Sequence, residues 1–291
     1  MSLVRVQSEE PDSEKPAQND LNGLFACCLK PIWASASPTH SSHHAKLVII
    51  RLPFPAGNPM SEIVDTFIAP PCHGQIEILY QDDHLLLINK PSGLLSLSGK
   101  NPLNLDSVHH RLVKNFPGCT LVHRLDFGTS GLMVIARNKA INAALCQQFS
   151  QRSVRKIYSA LLCGHLANDE GMIEAAIAKD AASFPRMTIC ATHGKPARSH
   201  YQVVERTEYV QQDGSVVPVT RVVLTPETGR THQLRIHCQL LGYPILGCDL
   251  YGGLQMSGSA KTPRLMLHAS ELHFVHPVSG EVIHARHASP F

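Results

Sequence analysis

The stretch from His123 to Gly131 reads HRLDFGTSG, with an arginine and an aspartate two positions apart and two glycines behind them. Short apolar segments stand on both sides of it, CTLV at 119–122 and LMVIA at 132–136. Apolar runs of this length around a glycine-bearing segment predict two strands joined by a turn. In such a turn an aspartate usually forms an Asx-turn with the backbone, and an arginine is usually a solvated cation. The motif alone therefore leaves two interpretations open, a structural role and a catalytic role for Asp126.

Strand patterns outnumber helix patterns from residue 76 onward. The segments QIEILY and HLLLINK predict a pair of strands, and later segments rich in β-branched or aromatic residues predict four more: RKIYSALLCGH, GMIEAAI, SHYQVVER and VTRVVLT. Helical spacing of apolar residues predicts helices over 105–116, 138–149 and 231–242, the last closed by Gly242. Because helices and strands do not alternate strictly, we expect the α+β class with a central mixed or antiparallel sheet.

Four motifs, taken in order, carry a resemblance to a known family. They are NKPSG at 89–93, HRLDFGTSG at 123–131, GRTHQLRIH at 229–237 and LMLHA at 265–269. Together they resemble the motifs of the RluA-type RNA pseudouridine synthases, and the resemblance covers residues 75–291. It implies the pseudouridine synthase fold, in which helices and loops flank a central sheet around an RNA-binding cleft. It also implies the shorter RluA branch, which has no S4 domain.

The resemblance implies roles for individual residues. Asp126 would be the catalytic carboxylate, Arg235 its ion-pair partner, Tyr158 an aromatic ring stacked on the uracil, and Arg124 the side chain that fills the space of the extruded uridine. Five further motif residues would line the RNA cleft: His123, Lys90, Lys156, Arg230 and His232. An aspartate is ionised at neutral pH. Attack at the sugar C1′, attack at the ring C6 and removal of a sugar proton therefore all stay open.

The implied reaction is the isomerisation of specific uridines to pseudouridine in structured RNA. It breaks the N1–C1′ bond and joins C5 to C1′, so no cofactor and no metal are expected, and the chain contains no G-x-G-x-x-G, H-E-x-x-H or P-loop motif. The expected partner is RNA, as a tRNA anticodon stem-loop, a 23S rRNA hairpin or both, bound by a monomer. The alternative is a catalytically inert RNA-binding or ribosome-assembly factor on the same fold.

Composition places the chain among ordinary globular proteins, with 43% hydrophobic and 17% charged residues and a net charge of +3. Its nine cysteines show no C-x-x-C spacing, which argues against a zinc ribbon, and reduced thiols favour a cytoplasmic location. No apolar run approaches the roughly 20 residues that cross a bilayer, so no membrane partner is expected.

Residues 1–70 and 71–291 form two expected regions, an extension and the catalytic domain. The first 59 residues contain seven prolines and no sustained apolar period, which predicts a disordered or loosely attached segment. Met60 directly precedes the region of resemblance. A translation start at Met60, with an extension that does not belong to the native protein, is therefore an equal alternative.

Overall fold

The computed structural model describes residues 3–7, 67–252 and 262–291. Thirteen strands and three helices occur in these residues. The strands are β1 Leu3–Gln7, β2 Glu77–Gln81, β3 Leu85–Lys90, β4 Thr120–Leu121, β5 Ser130–Ala136, β6 Arg155–Cys163, β7 Glu170–Glu174, β8 Ile177–Lys179, β9 Met187–Ile189, β10 Arg198–Val210, β11 Val216–Pro226, β12 Leu267–Val275 and β13 Val282–Arg286. The helices are α1 Val108–Val113, α2 Lys139–Ser150 and α3 Gln233–Leu240.

One large mixed sheet dominates the described residues, and it confirms the predicted α+β class. Its strands follow the order β2-β3-β5-β12-β6-β11-β10-β7, while β4 pairs with β5 and β13 pairs with both β12 and β1. The pairing of β5 with β12 is parallel, and the other pairings in the sheet are antiparallel. The two halves of the sheet therefore meet at β12.

Strands β3 and β5 are buried on both faces of the sheet. On one face Leu86 and Ile88 belong to the same apolar cluster as Leu112 of α1. On the other face Leu85 and Leu87 pack with residues of α2. Each fully buried leucine or isoleucine contributes roughly 1.5–3 kcal/mol through the apolar surface that it removes from water. This two-sided packing fixes β5, into which the 123–131 segment leads, and the neighbouring strand β3.

The helices begin and end at recognisable signals, with one departure from expectation. Asn138 caps α2, since its side chain accepts a hydrogen bond from the backbone N–H of Ile141. Gly242, with φ +88°, follows the end of α3 as predicted. The predicted helix over 105–116 is shorter in the structure. Ser107 caps α1 and leaves Leu105 exposed before it, so Leu105 does not belong to the apolar face of the helix.

The expected extension lies almost entirely outside the described residues, as does the alternative start at Met60. Its described parts are residues 67–70, which hydrogen-bond to Asn104, and β1, which pairs antiparallel with β13 from Leu3↔Arg286 to Gln7↔Val282. The sequence contained no signal that we read as this strand. Within the described residues, no helix is long and apolar enough to cross a membrane.

Candidate active site

The 123–131 turn connects β4 to β5 at one end of the sheet. Lys90, the last residue of β3, lies beneath it and is 0% exposed. Its ammonium donates hydrogen bonds to the carbonyl oxygens of Leu94 at 2.7 Å, Pro91 at 3.0 Å and Phe127 at 3.2 Å. Three N–H donors therefore meet three backbone acceptors, one of which belongs to the turn itself.

Two serines add further contacts to the turn. Ser96 Oγ donates to the carbonyl of Leu125 at 2.7 Å and accepts from the N–H of the same residue at 3.1 Å. Ser92 Oγ donates to the carbonyl of Gly128 at 2.6 Å. The residues on both sides of Asp126 are thus fixed through their backbone, which orients its carboxylate without using the carboxylate as an anchor.

The burial of Lys90 corrects the expectation that this residue contacts RNA. An ammonium with no exposure and three carbonyl partners cannot reach a phosphate from this position. Burial lowers the pKa of Lys90 to about 7, against the attraction of Cys72 and Asp126. Lys90 therefore holds the turn from below.

Asp126 and Arg235 approach each other, as the sequence predicted, but they are not in close contact. Arg235 Nη1 lies 3.9 Å from Asp126 Oδ2, and the exposed fraction is 5% for the arginine side chain and 26% for the aspartate side chain. The nearer carboxylate partner of Arg235 is Asp249, which contacts Nη2. One buried guanidinium therefore faces two carboxylates, with the motif aspartate at the longer distance.

The rest of the Arg235 environment comes from Cys248 and Tyr251. Arg235 Nε donates to Cys248 Sγ at 3.3 Å, and its guanidinium carbon lies 5.4 Å from the centre of the Tyr251 ring. Burial works against the charge of Arg235. The neighbouring Cys248, Asp126 and Asp249 outweigh burial, so the pKa of Arg235 is raised. Arg235 is therefore a permanently charged, immobilised cation at the base of the site.

The start of α3 has an unusual construction that positions Arg235. His232 precedes the helix in the left-handed region, with φ +55°, and gives it no side-chain cap. The Gln233 amide takes over: its oxygen accepts from Thr228 Oγ1 and from the Arg230 N–H, and its nitrogen donates to Ser199 Oγ and the Arg198 carbonyl. A residue with φ > 0 other than glycine is strained, and such strain concentrates at functional sites.

Tyr158 of β6 lines the same cavity as Arg124 and Asp126 of the turn. Its neighbours in the sheet are Leu224 of β11 and Ala269 of β12. Burial, followed by the charge of Asp126, raises the pKa of the Tyr158 phenol well above its usual value. The ring is therefore neutral at physiological pH.

These side chains enclose a cavity of about 80 Å³, which we call the active-site cavity. Its lining includes Arg124, Asp126, Tyr158, Arg230, His232 and Arg235. The structure thus brings together six of the nine residues that the resemblance singled out. A cavity this small, with one carboxylate, one aromatic ring and guanidinium groups around it, suits a single planar polar ring.

A second, larger cavity of about 790 Å³ opens beside the first, and we call it the basic groove. It shares Asp126 and Tyr158 with the active-site cavity and carries cationic or imidazole side chains along its length: Lys100, His123, Arg124, Lys156, Arg230 and His232. Arg124 is exposed and makes no hydrogen bond or ion pair within the described residues. The groove therefore has the charge and dimensions to follow a polyanion.

His123 faces the basic groove without being a cation there. Its Nε2 accepts a hydrogen bond from the backbone N–H of Val134 at 3.1 Å, and its ring stacks on Phe149 with 4.8 Å between centres. Burial, together with the charge of Lys156, lowers the pKa of His123 to about 3. The expected RNA contact of His123 is therefore limited to a neutral ring edge.

Sequence reasoning missed Gln233, Asp249 and Tyr251. Tyr251 is buried, and its hydroxyl accepts from the Met187 N–H at 2.7 Å and shares a 2.9 Å hydrogen bond with His232 Nδ1. Gln233 lies inside the GRTHQLRIH motif and could have been singled out there. Asp249 and Tyr251 lie outside the quoted motifs, and nothing in their local sequence indicates a contact with Arg235.

Comparisons with known proteins show the family to which the chain belongs. A family model described as RNA pseudouridylate synthase matches residues 84–240. The chain therefore belongs to the RNA pseudouridylate synthase family, whose members are isomerases. Proteins of the RluA type are among its relatives. The dual-specificity RNA pseudouridine synthase RluA of Vibrio vulnificus is 45% identical over 210 residues, which are 72% of this chain and 82% of that protein.

Two further relatives extend the comparison. The protein of the same description from Yersinia pestis is 44% identical over 74% of this chain and 99% of its own length. Among solved structures, human RNA pseudouridylate synthase domain containing 1 aligns with a TM-score of 0.63 and 33% identity, over 76% of this chain and 86% of that chain. Sequence and fold thus point to the same family.

Proposed function

We propose that this chain isomerises uridine to pseudouridine in structured RNA, with Asp126 as the catalytic carboxylate. The observation that carries the proposal is the active-site cavity, where Asp126, Tyr158 and Arg235 surround a space for one planar ring. The presence of all three groups in one cavity argues against an inert RNA-binding factor on the same fold. Asp126 acts at the glycosidic centre while the N1–C1′ bond breaks and the C5–C1′ bond forms.

Arg235 and Tyr158 assist without exchanging protons in this scheme. Arg235 places its positive charge 3.9 Å from the Asp126 carboxylate. Tyr158 stacks on the uracil, since the raised pKa of its phenol makes deprotonation more costly than in water. The C5 hydrogen of the uridine leaves as a proton, and the freed N1 gains one, so the reaction is redox-neutral and imports no group.

The uridine must leave its stack before Asp126 can reach it, at a cost of a few kcal/mol. Arg124 is the side chain placed to compensate, because it is exposed at the border of the active-site cavity and the basic groove. A guanidinium can stack in the vacated space and bind phosphate at the same time. Lys156 and Arg230 in the groove would contact the flanking phosphates.

The RNA that we propose as substrate is a tRNA anticodon stem-loop, a 23S rRNA hairpin or both. The support is the 45% identity to a protein described as a dual-specificity RNA pseudouridine synthase. We further propose that the enzyme acts as a monomer in the cytoplasm, where its thiols stay reduced. In agreement, the seven cysteines of the described residues are free.

Replacement of Asp126 by Asn tests the catalytic role. We expect tritium release from RNA labelled at uridine C5 to fall by at least a thousandfold, because the amide cannot supply an anionic oxygen. RNA affinity should stay within about twofold, since the backbone of the turn is held by other groups. Asp83→Asn, at an exposed carboxylate outside the cavity, is the matched control and should keep wild-type turnover. Substantial turnover by Asp126→Asn would rule out the assigned chemistry.

A further inference from the structure

A third cavity is lined in part by Phe127 and Gly128 of the 123–131 turn. We call it the aromatic pocket; it measures about 520 Å³ and its walls include Phe127, Phe184, Pro185, Leu250, Arg264 and Leu265. Its size is within the range of small-molecule sites, about 300–1,000 Å³. His232 lines this pocket, the active-site cavity and the basic groove, so the three spaces are neighbours, and we call them together the cleft.

The two flanks of the cleft differ in chemistry. The basic groove is rich in cations, whereas the aromatic pocket offers phenyl rings and aliphatic side chains. Its one carboxylate, Asp249, is compensated by Arg235, and its remaining charge is the guanidinium of Arg264. Phosphates are favoured on the first flank, and a flat apolar ring with a nearby negative charge is favoured on the second.

Phe184 is an exposed aromatic side chain of the pocket. It is 66% exposed, against 43% for Phe67, the other exposed phenylalanine that lines the pocket. It stands on the loop between β8 and β9, and this loop is tied to the active site. The N–H of Met187 donates to the Tyr251 hydroxyl at 2.7 Å, and the guanidinium of Arg186 lies 5.6 Å from the centre of the same ring. Tyr251 also packs under Arg235, so one buried tyrosine sets the position of Phe184 relative to the catalytic cation.

We propose that the aromatic pocket binds a second nucleobase of the substrate RNA, one that is unstacked near the target uridine and stacks on Phe184. This proposal rests on the proposed function, because it assumes that RNA occupies the cleft. A base has two apolar faces and a phosphate on its own nucleotide, which match the phenyl ring and the Arg264 guanidinium. The enzyme would then hold its substrate by two displaced bases, the target uridine in the active-site cavity and the second base in the aromatic pocket.

The test combines changes in the protein with changes in the RNA. The probe is an anticodon stem-loop hairpin with one target uridine, prepared as a series in which each other loop nucleotide in turn is abasic. The affinity of the Asp126→Asn protein and the single-turnover rate of the protein with Asp126 intact are measured for each RNA. Both forms are compared with and without Phe184→Ala. Met172→Ala, an exposed apolar side chain of β7 outside the cleft, is the matched control.

We expect one abasic position to weaken binding about tenfold or more, the usual range for loss of one base–aromatic stack. Phe184→Ala should cause a similar loss with the intact hairpin and no additional loss with that abasic RNA, because both changes remove the same contact. Phe184→Trp should restore the affinity, and Met172→Ala should behave as the unaltered protein. The proposal would be wrong if, at every loop position, Phe184→Ala and the abasic site lowered the affinity by independent factors that multiply.

The outcome separates this proposal from the proposed function. Absence of tritium release from every hairpin, with Asp126 intact, would count against the proposed function on this RNA. The affinity series would still decide the pocket, because it does not require turnover. Turnover could be normal while each abasic site changes the affinity equally with and without Phe184→Ala. That result would support the proposed function and rule out a second base in the aromatic pocket.

Discussion

Gly131 stands where no side chain fits. Its φ is +114°, and a Cβ there would lie 2.4 Å from the carbonyl oxygen and 2.5 Å from the nitrogen of Ala269. We expect Gly131→Ala to destabilise the protein by several kcal/mol, since the parallel pairing of β5 with β12 would have to separate. The measurement is the free energy of unfolding in urea.

Gly93→Ala supplies the matched control for that substitution. Gly93 also has positive φ, +76°, but nothing lies within 4 Å of its added Cβ. It should therefore lose only about 1 kcal/mol from backbone strain. Equal losses in both variants would show that strain, and not the close approach to Ala269, makes glycine necessary at position 131.

Lys90→Met tests whether the buried ammonium supports the turn. The substitution keeps a chain of similar length but removes the donors to the carbonyls of Leu94, Pro91 and Phe127. We expect single-turnover rates to fall at least tenfold with little change in RNA affinity, because the turn that carries Asp126 loses its lower support. Unchanged rates would mean that the serine contacts suffice.

The pH dependence of stability gives Lys90 a second readout. Its pKa is about 7 in the folded protein, against 10.5 for a lysine exposed to water, so the unfolded chain holds one more proton than the folded one between these values. Stability linked to Lys90 therefore rises with pH from 7 to 10.5, by at most about 1.4 kcal/mol per pH unit. Lys90→Met should lack this rise. A parallel pH profile for both proteins would contradict the linkage.

Site residues could be predicted from the sequence where they lie in a motif. The direction in which a side chain points was harder to predict. Asp126, Tyr158 and Arg235 meet in one cavity as expected. The burial of Lys90, which we had expected to contact RNA, could have been predicted from the sequence. A strand alternates its side chains between faces, so Lys90 shares the buried face of Leu86 and Ile88. The Asp249–Arg235 contact could not have been predicted from the sequence. The two residues are 14 positions apart, and only tertiary packing brings the loop with Asp249 to Arg235.

At the level of elements, α3 depends on one amide. Gln233 makes four hydrogen bonds at its first turn and is almost fully buried. Gln233→Leu should cost about 2–4 kcal/mol of stability, because Thr228 Oγ1 and Ser199 Oγ lose buried hydrogen bonds and the Arg230 N–H loses its acceptor. It should also slow single turnover at least tenfold, since Arg235 lies two residues further along the helix.

Gln239→Leu is the control for Gln233→Leu. It makes the same change on the same helix, at a half-buried side chain with no hydrogen bond within the described residues. We expect stability within about 0.5 kcal/mol of wild type and unaltered turnover. Similar losses at both positions would locate the effect in helix propensity and not in the amide network.

Local patterns predicted most elements and failed where distant segments decide the outcome. The strands β2, β3, β5, β6, β10 and β11 follow from their apolar and β-branched runs. The helix α1 is shorter than its apolar spacing suggests, because the side chain of Ser107 caps it two residues after Leu105. The parallel contact between β5 and β12 joins residues about 138 positions apart, and no local pattern encodes such a partner.

For the molecule as a whole, buried histidines make stability sensitive to acid. Burial lowers the pKa of both His123 and His268 to about 3, and His268 is additionally repelled by His287 and Arg264. Since the unfolded chain binds protons near pH 6.5, it holds more protons than the folded protein between pH 6.5 and 3. Stability should therefore fall as the pH drops through this window, by at most about 1.4 kcal/mol per unit for each histidine.

Urea unfolding at about pH 6.5, 5.5 and 4.5 measures this fall, and His268→Gln isolates one contribution. The glutamine cannot take up a proton, so the variant should lose less stability than wild type across this range, whatever its absolute stability. Carboxylates contribute equally to both proteins and cancel in the difference. Identical losses would show that His268 is not a determinant of acid sensitivity.

The central position of β12 has a consequence for the time at which the enzyme becomes active. In the sheet, β12 lies between β5 and β6, and these two strands do not pair with each other. The turn with Asp126 belongs to one side of β12, and Tyr158 and Arg235 belong to the other. A ribosome makes β12 after every other strand of the sheet except β13. A nascent chain can therefore fold its halves early, but it acquires a working site only when this late strand inserts between them.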